Sequence, residues 1–193
     1  MKLHLGCGNR YIPGFINIDV QDLDNVDVQA NAIDLPYEKN SVDLIYSCSM
    51  LEHFGKNNNL KFFRYTSWKD VLVYWYELLK PTGELYMSVP DFEAVSKEYL
   101  ENGDLERLIG ITIGGQKNDE DLHGMLFDYK IISEEMDRIG FKNVQRYNWK
   151  EFEAFSNEGY DDFSAAYLPH MDFENGRLMM LNIKGTKPNK MGF

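Results

Sequence analysis

The amino-acid sequence predicts a doubly wound α/β fold, in which a mainly parallel sheet is covered on both faces. Three observations support this prediction. Short apolar, strand-like runs alternate with segments of helical period along the chain. The glycine turn Gly6-Cys7-Gly8 directly follows the first run, and the second run ends in the carboxylate of Asp19. The length suits one domain with a substantial core, so residues 1–193 are predicted to form a single domain.

The strands are placed from short apolar runs between turn residues. Seven are expected, at Leu3–Leu5, Phe15–Asp19, Val26–Ala30, Val42–Ser47, Leu85–Val89, near Asn143–Tyr147 and near Leu178–Ile183.

The helices are placed from apolar residues that recur every three or four positions. One is expected after Ser67, which is a suitable N-cap, and Pro81-Thr82-Gly83 is expected to end it. Another is expected to end at Gly140, with a buried side formed by Ile131, Ile132, Met136 and Ile139.

Composition and charge limit the function classes. The net charge of −11 repels a polyanion, which disfavours nucleic acid as a partner. Cys7 and Cys48 form neither a metal-ligand pattern nor a disulfide framework. The amino terminus lacks the apolar segment of a signal peptide, and no stretch reaches transmembrane length. We therefore expect a cytoplasmic protein without a membrane partner, and the oligomeric state stays open.

The glycine turn favours a nucleoside cofactor without phosphates. A dinucleotide site needs a third glycine and a helix whose amino terminus faces the pyrophosphate. Here Tyr11 occupies the third glycine position, and the connection from Gly8 to Phe15 is too short for a crossover helix. The carboxylate of Asp19 is placed to accept hydrogen bonds from both hydroxyls of an adenosine ribose. S-adenosylmethionine contains adenosine but no phosphate, so it is the expected cofactor and NAD is disfavoured.

With these residues in place, the sequence resembles the class I S-adenosylmethionine-dependent methyltransferases over roughly residues 2–90. The segments that carry the resemblance, in family order, are Leu3–Gly8 with Asp19, Ala32–Pro36, Ser41–Ile45, Met50–Phe54 and Glu77–Leu85. The resemblance implies a seven-stranded sheet whose last strand is antiparallel, here with the first crossover reduced to a turn. The run from Leu5 to Asp19 also looks like that of small methyltransferases linked to bacterial or viral glycan biosynthesis.

The resemblance also implies the residues that contact the cofactor. Gly6 and Gly8 would line its methionine part, and Asp19 would hold the ribose. Ile33 and Asp34 would contact the adenine. The complete implied set of contacts is Gly6, Cys7, Gly8, Asp19, Val20, Ile33, Asp34, Ser47 and Ser49.

Three side chains are candidates for the chemistry. A hydroxyl acceptor needs a general base, and His53 is the first candidate because it follows the fourth strand at the carboxyl edge of the sheet. His123 is the rival, in a segment where Gly124 indicates a tight loop. Asp91 is interpreted either as a partner for a histidine or substrate hydroxyl, or as the cap of a helix starting near Phe92.

Other polar and aromatic residues receive weaker interpretations. The acidic run Asp119-Glu120-Asp121 lacks spaced ligands, so it is interpreted as a solvated loop and no metal site is predicted. His4 is interpreted as structural, and no function is assigned to His170. The aromatic residues between Trp149 and Tyr167 either cover the acceptor or pack in the core.

The leading hypothesis is therefore an enzyme that methylates a hydroxyl of a sugar or glycan with S-adenosylmethionine. One alternative changes the acceptor to an amine, carboxylate or carbon of another small metabolite. A third hypothesis is a catalytically silent module that binds the cofactor without turnover.

Overall fold

The computed structural model describes residues 1–57, 66–117 and 121–189. A seven-stranded sheet lies at its centre. Its strands are β1 Lys2–Leu5, β2 Ile16–Asp19, β3 Val28–Gln29, β4 Val42–Cys48, β5 Leu79–Pro90, β6 Lys142–Arg146 and β9 Met180–Thr186. Their spatial order is β3-β2-β1-β4-β5-β9-β6. Strand β9 is antiparallel to β5 and β6, and the other neighbouring pairs are parallel. The expected mainly parallel sheet with an antiparallel last strand is confirmed.

Four helices and a small second sheet complete the described part of the chain. The helices are α1 Trp68–Leu78, α2 Phe92–Asn102, α3 Glu106–Ile113 and α4 Tyr129–Ile139. The second sheet pairs β7, Tyr167–Leu168, with β8, Arg177–Leu178. Helix α3 was not predicted from the sequence. Its eight residues include Gly110 and three isoleucines, which favour a helix less than alanine or leucine do, so the sequence signal for this short helix is weak.

Helix α1 begins where the sequence predicts, because the Ser67 side chain accepts a hydrogen bond from the Asp70 amide. Its end differs from the prediction: the helix stops at Leu78, and Pro81-Thr82-Gly83 lies inside strand β5. Proline disfavours helical backbone at Lys80, the residue before it, and the chain is already extended one residue earlier, at Leu79. The end of α4 at Gly140 is as predicted, with a φ of 119°.

Helices cover one face of the sheet and form the main core. Trp68, Trp75 and Met136 from α1 and α4 pack there against the inward residues of β1, β4 and β5. The predicted buried side of α4 is wrong at Ile131, which is 38% exposed. Among the described residues, no helix has the length and apolar character required to cross a membrane.

The second face of the sheet is covered by the segment 149–165, which forms three short 3-10 turns. The Phe152 ring stacks on Tyr46 of β4, with centroids 4.0 Å apart and planes 17° from parallel. Phe152 also contacts Tyr86 of β5 at 5.2 Å. Aromatic stacking thus covers the sheet where a doubly wound fold places helices.

The first crossover, from β1 to β2, contains no helix and is held by Asn17. This side chain is fully buried, and its Oδ1 accepts a hydrogen bond from the Ile12 amide at 2.9 Å. Its Nδ2 donates to the carbonyls of Ile12 and Phe15, each at 3.2 Å. The side-chain amide of Asn17 therefore fixes the loop between the glycine turn and β2, where a longer crossover would contain a helix.

Candidate functional site

A cavity of about 410 Å³ opens at the carboxyl ends of β1, β2 and β4. The strand order reverses between β1 and β4, and open α/β sheets bind ligands at such switch points. The volume is within the range of small-molecule sites. The described residues that line the cavity are His4, Gly6, Cys7, Gly8, Asn9, Arg10, Asp19, Val20, Gln21, Ala30, Ala32, Cys48, Ser49, Met50, His53, Phe54, Asp162 and Phe163.

The Asp19 carboxylate is fixed at the end of β2 by backbone amides. The amide of Gly8 donates to its Oδ2 at 2.8 Å, and the amide of Gln21 donates to its Oδ1 at 2.9 Å. A carboxylate offers about four acceptor positions. Two positions therefore remain for hydroxyl donors of a ligand, and the carboxylate is held ready to receive them.

The glycine turn requires backbone that only glycine adopts readily. Gly6 has a φ of +68° and Gly8 a φ of +50°. A Cβ on Gly6 would lie 2.6 Å from Met50 Cγ, whereas a Cβ on Gly8 would meet no atom within 4 Å. Gly6 thus allows close packing of Met50, and Gly8 leaves its backbone open to a ligand.

The opposite wall of the cavity is formed by the end of β4 and by the loop after β3. Ser49 directly follows β4 and lies in the left-handed region, with a φ of 50°. The Trp75 indole N–H donates to the Ala32 carbonyl at 3.0 Å inside the core. Helix α1 therefore fixes the position of the loop that contributes Ala32 to the wall.

Asp162 and Phe163 also line the cavity. Asp162 was not predicted from the sequence, whereas Phe163 is one of the aromatic residues expected either to cover the acceptor or to pack in the core. Asp162 Oδ2 accepts hydrogen bonds from the hydroxyls of Tyr46 at 2.6 Å and Tyr160 at 2.7 Å. Phe163 is 63% exposed at the cavity lining. The segment carries no motif or period, and its only sequence signal is its density of aromatic residues.

The two predicted histidines lie side by side. The ring centroids of His53 and His123 are 5.0 Å apart, and the planes meet at 83°. His53 Nδ1 lies 3.1 Å from the Leu122 carbonyl oxygen. A carbonyl only accepts hydrogen bonds, so we assign the proton to Nδ1, which makes Nε2 the basic nitrogen of the ring. Burial lowers the pKa of His123 to about 4.

Glu52 joins the two histidines and was not predicted from the sequence. Its side chain is 1% exposed, and burial raises the pKa of its carboxyl group to about 8. The carbonyl of Glu52 accepts hydrogen bonds from the amides of Gly124 at 2.7 Å and Met125 at 3.2 Å. These bonds hold the segment of His123 against the turn that carries His53.

The structure brings seven of the sequence-predicted residues to the cavity: Gly6, Cys7, Gly8, Asp19, Val20, Ser49 and His53. Five other predicted residues, all within the described ranges, lie outside its lining: Ile33, Asp34, Ser47, Asp91 and His123. Ile33 packs on the main core and Asp34 is exposed. The adenine contacts assigned to these two residues therefore stay predictions.

The Asp91 carboxylate is bonded to protein groups at the start of α2. Its Oδ1 accepts a hydrogen bond from the Glu93 amide at 3.1 Å, and Arg146 Nη1 lies 2.9 Å from its Oδ2. This is the capping geometry that the sequence left open as one of two interpretations. Of the acidic run considered above, positions 119 and 120 lie outside the described residues.

Both cysteines should be unreactive in the native protein. Burial, followed by the nearby Asp19 carboxylate, raises the pKa of the Cys7 thiol to about 12. Burial likewise raises the pKa of Cys48. Because only the thiolate attacks a disulfide reagent, we expect no reaction at pH 8 under native conditions and two thiols per chain in denaturant. Rapid native reaction of either thiol would contradict the described packing.

Comparison with known proteins gives a family match and a fold match. Residues 7–87 match a family described as a methyltransferase domain. No curated protein matches the chain in sequence. A putative methyltransferase in complex with the Haloferax volcanii Trm112 methyltransferase activator is 16% identical, over 97% of this chain and 82% of that chain, with a TM-score of 0.52.

Two further solved structures are similar. A possible histamine N-methyltransferase from Thermotoga maritima is 14% identical, over 96% of this chain and 81% of that chain, with a TM-score of 0.53. Phosphoethanolamine N-methyltransferase 2 from Haemonchus contortus, in complex with S-adenosyl-L-methionine, is 14% identical, over 97% of this chain and 48% of that chain, with a TM-score of 0.50. These identities show a shared fold. The family match supports a methyltransferase and indicates S-adenosylmethionine as the cofactor.

Proposed function

We propose that the protein transfers a methyl group from S-adenosylmethionine to a hydroxyl of a sugar or glycan. The observation that carries this proposal is the Asp19 carboxylate, fixed beside the glycine turn at the switch point of the sheet. The match of residues 7–87 to a methyltransferase domain supports the reaction class. The hydroxyl acceptor is a finer proposal, which rests on the groups that border the cavity.

The residues of the cavity fit the proposed cofactor. Asp19 keeps acceptor positions for the two ribose hydroxyls, and the bare backbone at Gly8 lets the methionine part approach closely. Ser49 and His53 line the far side of the cavity. When bound there, S-adenosylmethionine supplies an electrophilic methyl group on a sulfonium.

The reaction is an in-line displacement. A bond forms between the acceptor oxygen and the methyl carbon, the carbon–sulfur bond breaks, and its electron pair stays on sulfur. The protein aligns the acceptor and removes its hydroxyl proton. His53 is the candidate for this step because it lines the cavity, and because the Leu122 carbonyl beside Nδ1 assigns the basic lone pair to Nε2.

Two neighbouring groups favour a sugar as acceptor. The exposed Phe163 ring offers an apolar face of the kind on which sugar rings stack. Asp162, beside it, accepts three hydrogen bonds from protein groups and keeps one of its roughly four acceptor positions. Phe163 and Asp162 both line the cavity. A sugar could stack the apolar face of its ring on Phe163 and donate a hydrogen bond from a hydroxyl to Asp162.

The test is turnover with labelled S-adenosylmethionine and a panel of sugar, amine and carboxylate acceptors. We expect a sugar to be methylated and His53→Gln to lower the turnover rate by about 100-fold, the lower range for loss of a general base. Cofactor affinity should stay within about threefold of wild type. His170→Gln, at an exposed loop position, is the matched control and should retain full activity.

The acceptor panel separates the outcomes. Methylation of an amine alone would overturn the hydroxyl acceptor while leaving the reaction class. Cofactor binding without turnover on any acceptor would favour the silent module. Full activity of His53→Gln would remove this residue from the chemistry.

A further inference from the structure

Unsatisfied polar atoms converge beside the cavity at Glu52. This residue lies in the 3-10 turn Leu51–His53, and neither of its carboxyl oxygens has a hydrogen-bond partner among the described residues. The residue is 1% exposed, so bulk solvent does not reach these oxygens. A buried polar group without a partner is costly, and a bound ion or water commonly satisfies such a group.

His123 contributes a second unsatisfied atom at the same place. Its Nδ1 is buried and has no hydrogen-bond partner within the described part of the chain. One ligand atom each from Glu52, His53 and His123 lies within 4.8 Å of the other two. In a tetrahedral site with bonds of about 2.0–2.1 Å, ligand atoms stand roughly 3.4 Å apart. Small side-chain rotations would bring the three atoms to that spacing.

The backbone holds this cluster together independently of any ligand. The amides of Gly124 and Met125 both donate to the carbonyl of Glu52, at 2.7 and 3.2 Å. The contact between His53 Nδ1 and the Leu122 carbonyl orients the ring, so Nε2 is the ring atom that would bind a metal ion. A backbone carbonyl on the second ring nitrogen is the usual support of a metal-binding histidine.

We propose that Glu52, His53 and His123 bind a divalent transition-metal ion, for which zinc is the best match. Two imidazoles and one carboxylate are a common catalytic zinc set, with three protein ligands and one open position. Magnesium and calcium take six or more ligands, mostly oxygens, which this cluster does not supply. The ion would satisfy both the buried carboxylate and the buried Nδ1 of His123.

The inference deepens the proposed function, on which its catalytic consequence rests. His53 also lines the cavity, so an ion on this residue would lie one side chain from the acceptor. A hydroxyl at the open position would lose its proton to solvent more readily, because metal binding lowers the pKa of a bound hydroxyl. The two histidines would then act on the acceptor through the ion, as ligands, and the ion would replace His53 Nε2 as the group that activates the acceptor hydroxyl.

Metal-free protein titrated with zinc, and separately with cobalt as a spectroscopic probe, tests the proposal. We expect one equivalent to bind and the cobalt complex to show the visible absorption of a low-coordinate site. Glu52→Gln keeps the size of the side chain and removes the charge, and it should weaken binding at least tenfold. His170→Gln removes an exposed histidine and should bind like wild type.

The wild-type protein alone can overturn the proposal, whether or not a variant folds. Absence of stoichiometric zinc binding, or a cobalt spectrum identical to that of the free ion, would do so, as would wild-type affinity in a folded Glu52→Gln protein. S-adenosylmethionine titrated into the same metal-free sample separates the two claims. If the protein binds the cofactor but not zinc, only the proposed metal site is overturned. If it binds zinc but not the cofactor, only the proposed function is overturned.

Discussion

Asp19→Ala is expected to weaken the binding of S-adenosylmethionine and S-adenosylhomocysteine about 1000-fold. A hydrogen bond to a charged group contributes about 1.5–3 kcal/mol, and the ribose would donate two such bonds to this carboxylate. Each 1.4 kcal/mol changes a dissociation constant tenfold. The substitution also removes the acceptor of the Gly8 and Gln21 amides, which loosens the turn that faces the ligand. Isothermal titration calorimetry with both ligands measures the loss.

Asp24→Ala is the matched control for this experiment. Asp24 is exposed in the same loop after β2 and outside the cavity lining, so the variant loses the same charge at a position that touches no proposed ligand. It should bind both ligands like wild type. If Asp19→Ala were folded by circular dichroism and bound within threefold of wild type, the ribose contact would be wrong. An equal loss of affinity in both variants would indicate that the negative charge of the surface, and not a contact with Asp19, supports ligand binding.

The fold could be predicted from the sequence because its signals are local. The strands alternate or run apolar between turn residues, and the helices show their period and their caps, such as Ser67 and Gly140. Strand β5 shows the limit of such reasoning. Its first residues contain Pro81 and Gly83, which the sequence predicts to end a helix, yet they lie inside the strand, at an irregularity in its pairing with β4.

The candidate site was predicted only in part, for a physical reason. Gly6, Gly8 and Asp19 follow two adjacent strands, so the parallel sheet brings them together by rule. Glu52 and His123 are distant in sequence, and backbone bonds between two loops join them. Asp162 reaches the cavity through an aromatic segment without period. No spacing in the sequence encodes such contacts, because they depend on how the loops pack.

Gly6→Ala is expected to destabilise the protein by about 2–5 kcal/mol, the second large effect. Alanine in the left-handed region costs roughly 1–2 kcal/mol, and the φ of Gly6 is +68°. The new Cβ would also lie 2.6 Å from Cγ and 3.0 Å from Cβ of Met50, and rotation of the Met50 side chain can move Cγ but not Cβ. Overpacking of this kind adds about 1–3 kcal/mol. Chemical denaturation measures the sum.

Gly14→Ala separates the two causes within the same crossover. Gly14 has a φ of +83°, but a Cβ there would meet nothing within 4 Å, so this variant carries the backbone strain alone. Its free energy of unfolding should fall by about 1–2 kcal/mol, and the further loss in Gly6→Ala measures the contact with Met50. Adding Met50→Ala to Gly6→Ala should recover part of that further loss, since the atom in conflict is removed. Equal destabilisation by Gly6→Ala and Gly14→Ala would show that the turn moves freely away from Met50. The close approach of β1 and β4 at the mouth of the cavity would then not depend on a glycine at this position.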